Sequence, residues 1–355
     1  MAHTNKLELF GLSGGHGEGM AIDRISLQAE PGEMLAILGP ERAGKTSLIR
    51  LIAGFGQTTA GHIAFNGHDL ADVAPRQRPF ALLGERDALF PHLTVVKNVA
   101  YGLKAQRLDP GTIAERVKEN LALIGVTGLD KFYPEQLTRA QRHRVALARA
   151  LATRPLVLLL DQAFDALEPL EAGRIMMALT ELQQRAGFTL IAATRDSDAA
   201  LTHADRVAVM VEGRIVQIGS PITLYDRPEH PLVASLTGPV NLLAGTARAG
   251  AIDVPGLGEL AADAGALAPG TPAVLSLRPE AIELWLNEPA DRDIRLPVEV
   301  RDVVYSGGGL RVRLASGGIR LTARVDGRRL TSSDLPAGRR IWCTWAREAA
   351  QVMRA

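Results

Sequence analysis

The chain has 355 residues, 46% of them hydrophobic, and a formal net charge of +1. At ~150 residues per domain, that length predicts two domains with room for a third, and the near-neutral charge gives no reason to expect a nucleic-acid partner. The single cysteine, Cys343, excludes a disulfide within the chain and cysteine-based zinc chemistry, and it fits a reducing cytosol. The N-terminus lacks an apolar signal core, and apolar runs such as 156–160 fall far short of the ~20 residues a membrane span needs. A soluble protein is expected, with any membrane role supplied by partners. The short Arg-rich stretches at 139–149 and 324–329 are explained at least as well by a solvated face as by a binding patch.

Taken in chain order, the first strong signal is Leu35-Ala36-Ile37-Leu38, which reads as a buried strand. It runs into Gly39-Pro40-Glu41-Arg42-Ala43-Gly44-Lys45-Thr46, a fit to G-x-x-x-x-G-K-[ST]. Leu48, Ile49, Leu51 and Ile52 then continue at helical spacing. Backbone N–H groups from Gly39, Arg42, Ala43 and Gly44 through Ser47 can wrap a triphosphate, and the helix N-terminus adds its positive dipole. Lys45 is placed to reach the β- and γ-phosphates, and Thr46 to offer its hydroxyl to Mg²⁺. A Gly-containing turn before an ordinary helix is the plainer alternative; the strand before it and the helix after it argue for a nucleotide site.

Further on, Leu156-Val157-Leu158-Leu159-Leu160-Asp161 predicts a buried strand ending in a carboxylate, which would hold Mg²⁺ opposite Thr46. Strand-like runs at 189–193 and 207–211 alternate with helical patterns, so an α/β domain with a largely parallel sheet is expected. After Pro239 the texture changes to short β-rich runs at 273–277, 296–304, 310–314, 319–325 and 340–345, separated by Gly, Pro and Asp turns. That spacing predicts a small all-β, OB-like barrel. Trp285, Trp342 and Trp345 all lie in this tail and are expected in its core. The predicted division is a nucleotide-binding domain over 1–236 and a β domain over 237–355.

Several segments carry a family resemblance. Ala88-Leu89-Phe90-Pro91-His92-Leu93-Thr94-Val95, followed by Asn98-Val99-Ala100, resembles the segment after the Q-loop of ABC transporter ATP-binding subunits. Leu137-Thr138-Arg139-Ala140-Gln141, continuing into Arg144-Val145-Ala146-Leu147-Ala148-Arg149-Ala150-Leu151, resembles their LSGGQ signature and its helix. Residues 204–210 and 213–219 match the strands after the family's switch histidine, and Phe10-Gly11 sits where its adenine-stacking aromatic belongs, ahead of a Gly-rich insertion at 14–19. Leu277-Arg278-Pro279-Glu280 resembles the "IRPE" of the regulatory barrel in importer subunits for polyamines, ferric iron, sulfate and sugars. The resemblance implies a P-loop ABC ATPase domain with a helical signature subdomain and a TOBE-like barrel. It also implies ATP and Mg²⁺ as ligands, with Phe10 at the base and Thr46, Glu85 and Asp161 at the metal.

The chain departs from the family pattern where chemistry is concentrated. Gln162 replaces the glutamate that polarises the attacking water, and an amide cannot accept the proton; losing a general base costs ~10²–10⁴ in rate. Arg195 replaces the switch histidine, and its fixed charge and length make it a poor substitute for imidazole. Glu85 stands at the Q-loop glutamine, where an anion can ligate magnesium but repels a γ-phosphate. Glu168 replaces the D-loop aspartate. In the signature, which caps the γ-phosphate from the opposite subunit, Thr138 keeps a hydroxyl while Arg139 and Ala140 replace glycines, reducing backbone freedom beside Gln141. Arg139 either lends charge to the phosphate or faces solvent.

Head-to-tail pairing of cassettes means that neither a homodimer nor a heterodimer leaves an untouched site. The expected role is the nucleotide-binding subunit of an importer, peripheral on the cytoplasmic face of the cell membrane, binding Mg-ATP and hydrolysing it slowly. Its partners would be a second cassette, transmembrane permease subunits and, indirectly, a solute-binding protein. A regulatory pseudo-ATPase paired with an intact cassette is the first alternative. A soluble ABC ATPase acting on ribosomes or DNA is disfavoured by the charge, the single cassette and the barrel tail.

Overall fold

The computed structural model describes residues 5–15, 21–262 and 267–355. Most of the Gly-rich insertion expected at 14–19 therefore lies outside the described residues. The chain forms two compact units, 1–221 and 222–355.

The first unit opens with β1 (Leu7–Gly15), β2 (Ile22–Ala29) and β3 (Met34–Leu38), then α1 (Lys45–Ala53), β4 (Gln57–Phe65), β5 (His68–Asp69) and β6 (Phe80–Gly84). Three helices follow: α2 (Val95–Ala105), α3 (Pro110–Leu123) and α4 (Arg139–Ala152). The unit closes with β7 (Val157–Asp161), α5 (Pro169–Ala186), β8 (Thr189–Thr194), α6 (Ser197–His203), β9 (Arg206–Val211) and β10 (Arg214–Gly219). All four strands read from the sequence are present. β3, β7 and β8 are buried along their whole length, because a sheet covered on both faces needs continuous apolar runs.

Among the described residues a six-stranded sheet has the order β10-β9-β3-β8-β7-β6. β9, β3, β8, β7 and β6 run parallel, and β10 returns antiparallel on β9. A second, antiparallel sheet has the order β2-β1-β4-β5. Parallel pairing brings distant segments to one edge: Leu38 stands beside Thr194, Ala193 beside Asp161, and Asp161 beside Gly84. The loops leaving β3, β6, β7 and β8 thus emerge together at the carboxyl ends, the usual ligand position of such sheets. α2, α3 and α4 form the helical subdomain; Thr138 caps α4 through a reciprocal capping box with Gln141.

The second unit contains α7 (Pro221–Asp226, its first residue closing the preceding unit) and α8 (Pro231–Leu236), then, among the described residues, ten strands. Strands β11 (Asn241–Arg248), β12 (Ala251–Val254), β13 (Gly258–Ala261) and β14 (Pro272–Leu277) come first, then β15 (Glu283–Trp285), β16 (Leu296–Tyr305), β17 (Leu310–Ser316), β18 (Ile319–Val325), β19 (Arg340–Thr344) and β20 (Ala350–Arg354). They build two five-stranded antiparallel sheets, β13-β12-β11-β14-β20 and β15-β19-β16-β17-β18, over one shared apolar core. The tryptophans divide, contrary to the expectation of three core residues. Trp345 is buried, whereas Trp285 and Trp342 face each other across β15 and β19 only half-buried. Arg292 and Arg329 lie over the Trp285 ring.

The units divide upstream of the 236/237 boundary read from the sequence, and Arg278 accounts for it. This arginine is buried, and its guanidinium donates to the carbonyls of Tyr225, Ala234, Gly238 and Pro239 and to the Thr237 hydroxyl. Five acceptors on the helical segment satisfy one buried cation, so α7 and α8 belong with the β unit.

Candidate functional site

The loop after β3 has the local form its glycines require. Gly44 adopts φ +99°, and a Cβ there would meet the Ala21 carbonyl oxygen at 2.6 Å. A Cβ on Gly39 would lie 2.2 Å from the Met210 oxygen, so only glycine fits against β9. Arg42 holds φ +61° without being glycine, a strained position of the kind found at ligand loops. Ala43, Lys45 and Ser47 are buried and Thr46 is half-buried.

Lys45 donates from Nζ to the carbonyls of Gly39 and Pro40, both at 2.7 Å, so the loop folds around its own ammonium. Burial pushes Lys45 below the ordinary lysine range; Asp165 opposes this most, Arg195 adds to it, and Asp161 and Glu41 pull the other way. The Thr46 hydroxyl donates to Asp161 Oδ1 at 2.8 Å and accepts from Gln162 Nε2 at 3.1 Å. Gln162 has φ +53°, and its N–H is tied to the Ala193 carbonyl at 2.8 Å, which aims the amide back toward the loop.

Arg195 leaves β8 and reaches two carboxylates. Its Nη1 lies 2.5 Å from Glu41 Oε1, and its N–H and Nε approach Asp165 Oδ2 at 3.1 and 3.5 Å. Asp165 also accepts the Thr194 hydroxyl at 2.7 Å. Lys45, Thr46, Asp161, Gln162 and Arg195 are therefore one cluster, although their positions run from 45 to 195.

The other residues singled out from the sequence are placed differently. Glu85 lies just beyond β6 with an exposed side chain, and no hydrogen bond joins that side chain to Thr46 or Asp161. Phe10 is exposed and stacks on His62 with centroids 4.7 Å apart, so it is not a core residue. In the signature, Thr138 Oγ1 accepts from the Gln141 N–H at 3.2 Å while Gln141 Oε1 accepts from the Thr138 N–H at 2.9 Å. Arg139 is exposed and Ala140 half-buried at this helix start.

Sequence reasoning missed the partners Glu41 and Asp165, and it missed His143. That histidine is buried in α4, with Nδ1 3.0 Å from the Arg139 carbonyl and Nε2 3.1 Å from the Glu85 carbonyl. Arg142 binds Asp87 at 2.9 Å, and Arg149 donates to the carbonyls of Asp87 and Ala88. Three side chains of one helix thus hold the segment 85–88. The spacing of Arg142, His143 and Arg149 along α4 was visible, but nothing local named their acceptors.

Residues 22–165 match the ABC transporter family, and residues 275–353 match the TOBE domain. The spermidine/putrescine import ATP-binding protein PotA of Acidothermus cellulolyticus is 39% identical over 345 residues, spanning 94% of this chain and 88% of that protein. This chain belongs to the ATP-binding subunits of ABC importers. The putrescine transport ATP-binding protein PotG of Escherichia coli is 38% identical over 325 residues, spanning 89% of this importer subunit and 86% of PotG. Among solved structures, cbiO1 from Clostridium perfringens, part of the ABC transporter complex cbiONQ, aligns with TM-score 0.58 at 28% identity, over 63% of this chain and 92% of that one. The ATP-binding cassette MJ0796 aligns with TM-score 0.56 at 24% identity, over 61% and 98% of the two chains, which shows the shared fold. Family membership implies ATP as the nucleotide, with a second cassette and membrane permease subunits as partners. Among the described residues no helix is long and apolar enough to cross a membrane.

Proposed function

We propose that this importer subunit binds Mg-ATP at the Lys45–Thr46–Asp161 cluster and that cassette closure, more than fast hydrolysis, is its output. The observation that carries this reading is the Thr46 hydroxyl, held between the Asp161 carboxylate and the Gln162 amide. A hard-cation site of one hydroxyl and one carboxylate, completed by water and phosphate oxygens, suits Mg²⁺. When bound, Mg²⁺ neutralises and orients the phosphate oxygens. The chain supplies the rest: Lys45 gives a buried positive charge, the loop and the start of α1 give backbone N–H groups, and Asp161 orients the hydroxyl.

The hydrolytic side is weaker. Gln162 offers no base, so a water beside it keeps its proton. Arg195 brings permanent charge to the loop, which favours holding a polyanion over shuttling a proton. The signature of a second cassette would face the nucleotide with the N-terminus of α4. Thr138 there still has an O–H to donate, because the capping box uses its oxygen only as an acceptor. The relatives' names, for spermidine/putrescine import and putrescine transport, support a polyamine-type solute; its recognition by permease and binding protein, and a place on the cytoplasmic face of the membrane, are part of the same proposal.

Phosphate release by the purified complex tests the reading. Turnover well below roughly 1 s⁻¹ is expected; a rate at or above that value defeats the slow-hydrolysis claim. The altered signature and Gln162 together also favour a regulatory subunit paired with an intact cassette, which co-purification of a second, different cassette would identify.

A further inference from the structure

The geometry points to a charge latch in which Glu41 competes with the terminal phosphate of a nucleotide for Arg195, held in place by Asp165, so that this chain discriminates triphosphate from diphosphate. It rests on the Mg-ATP reading above and adds to it two residues, Glu41 and Asp165, as specificity and positioning groups.

The two ends of the Arg195 bridge differ in kind. Asp165 has a side chain only 8% exposed and takes three donors, the Thr194 hydroxyl and the N–H and Nε of Arg195. It is a fixed anchor. Glu41 belongs to the phosphate loop itself, its side chain is 75% exposed, and among the described residues its ion pair is with Nη1 of Arg195. An exposed ion pair is weak and is readily exchanged for a better anion. A guanidinium cannot shed its charge, so whichever anion reaches the loop must be matched to Nη1.

Asp165, Asp161, Glu41 and Arg195 all act electrostatically on Lys45, and Arg195 pairs directly with Glu41 and Asp165. Lys45 is committed to the loop carbonyls and lies at the buried end. Arg195 arrives from β8 and is 40% exposed at its side chain, making it the cation able to change partners. A triphosphate brings one more phosphoryl group than a diphosphate, and exchange of Glu41 for that group releases a carboxylate to water. With a diphosphate the Glu41–Arg195 pair stays closed. A histidine at 195 would lack this property, since its neutral ring needs no counter-ion.

Equilibrium binding of mant-ADP and of mant-AMP-PNP with Mg²⁺, by fluorescence of the full-length chain, tests the latch without turnover. Glu41→Gln should tighten mant-AMP-PNP roughly two- to fivefold, the range for freeing one exposed ion pair, and leave mant-ADP unchanged. In an Arg195→Ala background the same substitution should have no effect, so the double-mutant cycle shows coupling for the triphosphate alone. Asp165→Asn should shrink the triphosphate preference, whereas a purely structural role would lower the melting temperature and leave the preference intact. Equal tightening of both nucleotides, or an effect that survives removal of Arg195, overturns the latch and leaves the Mg-ATP reading standing. Failure of the native chain to bind either probe overturns that reading and the latch with it.

Discussion

Gln162 donates its amide hydrogen to the hydroxyl oxygen of Thr46, the same oxygen that hydrogen-bonds Asp161. A glutamate at this position could not donate, so the substitution does more than remove a base: its amide occupies one of the two lone pairs of the hydroxyl oxygen and competes with, without blocking, a magnesium ion there. In Gln162→Glu that lone pair is released, and the Mg²⁺ concentration giving half-maximal binding of mant-AMP-PNP should fall. An unchanged or higher requirement would count against the contact.

The paired restoration Gln162→Glu with Arg195→His should raise phosphate release by ~10² or more, the lower part of the range for regaining a general base. Single-turnover measurement on the assembled transporter is the check. If the double variant stays as slow as the native chain, the altered signature at Thr138–Gln141 is the limiting element.

Lys45→Ala removes a buried ammonium that braces the loop and, on the proposed reading, would meet the phosphates. Charge-assisted hydrogen bonds contribute about 1.5–3 kcal/mol, so nucleotide affinity should drop roughly 10- to 150-fold. Isothermal titration with Mg-ATP reads this directly, and indifference to the change would remove the basis for the site.

Two glycines predict opposite outcomes. Gly39→Ala drives a Cβ against the Met210 carbonyl oxygen, a backbone atom that cannot swing away, and should destabilise the first unit by about 1–3 kcal/mol. Gly173→Ala, within α5 with open space around it, should stabilise by about 0.4–1 kcal/mol. Thermal melting of the two variants would separate them.

The second unit should lose stability in alkali. Burial pushes the Cys343 thiol up to about 12 from 9.0, and burial together with the Glu280 carboxylate pushes the Tyr225 phenol up to about 12 from 10.0. Both groups stay protonated in the folded unit after the unfolded chain has begun to lose its protons. Their contribution is therefore complete below pH 9 and declines as pH rises toward 12. Denaturant midpoints measured across this window should fall, and Cys343→Ala should flatten the earlier part of the decline.

Arg278→Ala strips five acceptors of their buried donor. At about 1 kcal/mol for each lost hydrogen bond, a cost of ~3 kcal/mol or more is expected, concentrated in the second unit. Limited proteolysis should then cut first within 221–240; protection equal to native would argue that the carbonyl cage contributes little.

The amino-acid order alone determined the phosphate loop, the strand ending in Asp161, the change to β structure after Pro239 and the identity of the departures at Gln162 and Arg195. Each of these is local: a strand, a tight loop and a helix are specified by neighbours within a few residues, through backbone sterics and apolar periodicity. What only the tertiary structure decided is which side chains meet. Arg195 and Glu41 are 154 positions apart, and Gln162 and Thr46 are 116 apart. Parallel strand pairing brings those pairs together, and a run of neighbouring residues does not name which distant strand will lie beside it. The same holds for His143 against the Glu85 carbonyl, and for Arg278, whose buried charge drew α7 and α8 into the β unit. Local chemistry wrote the elements; long-range charge pairing and sheet register chose the contacts that make them a site.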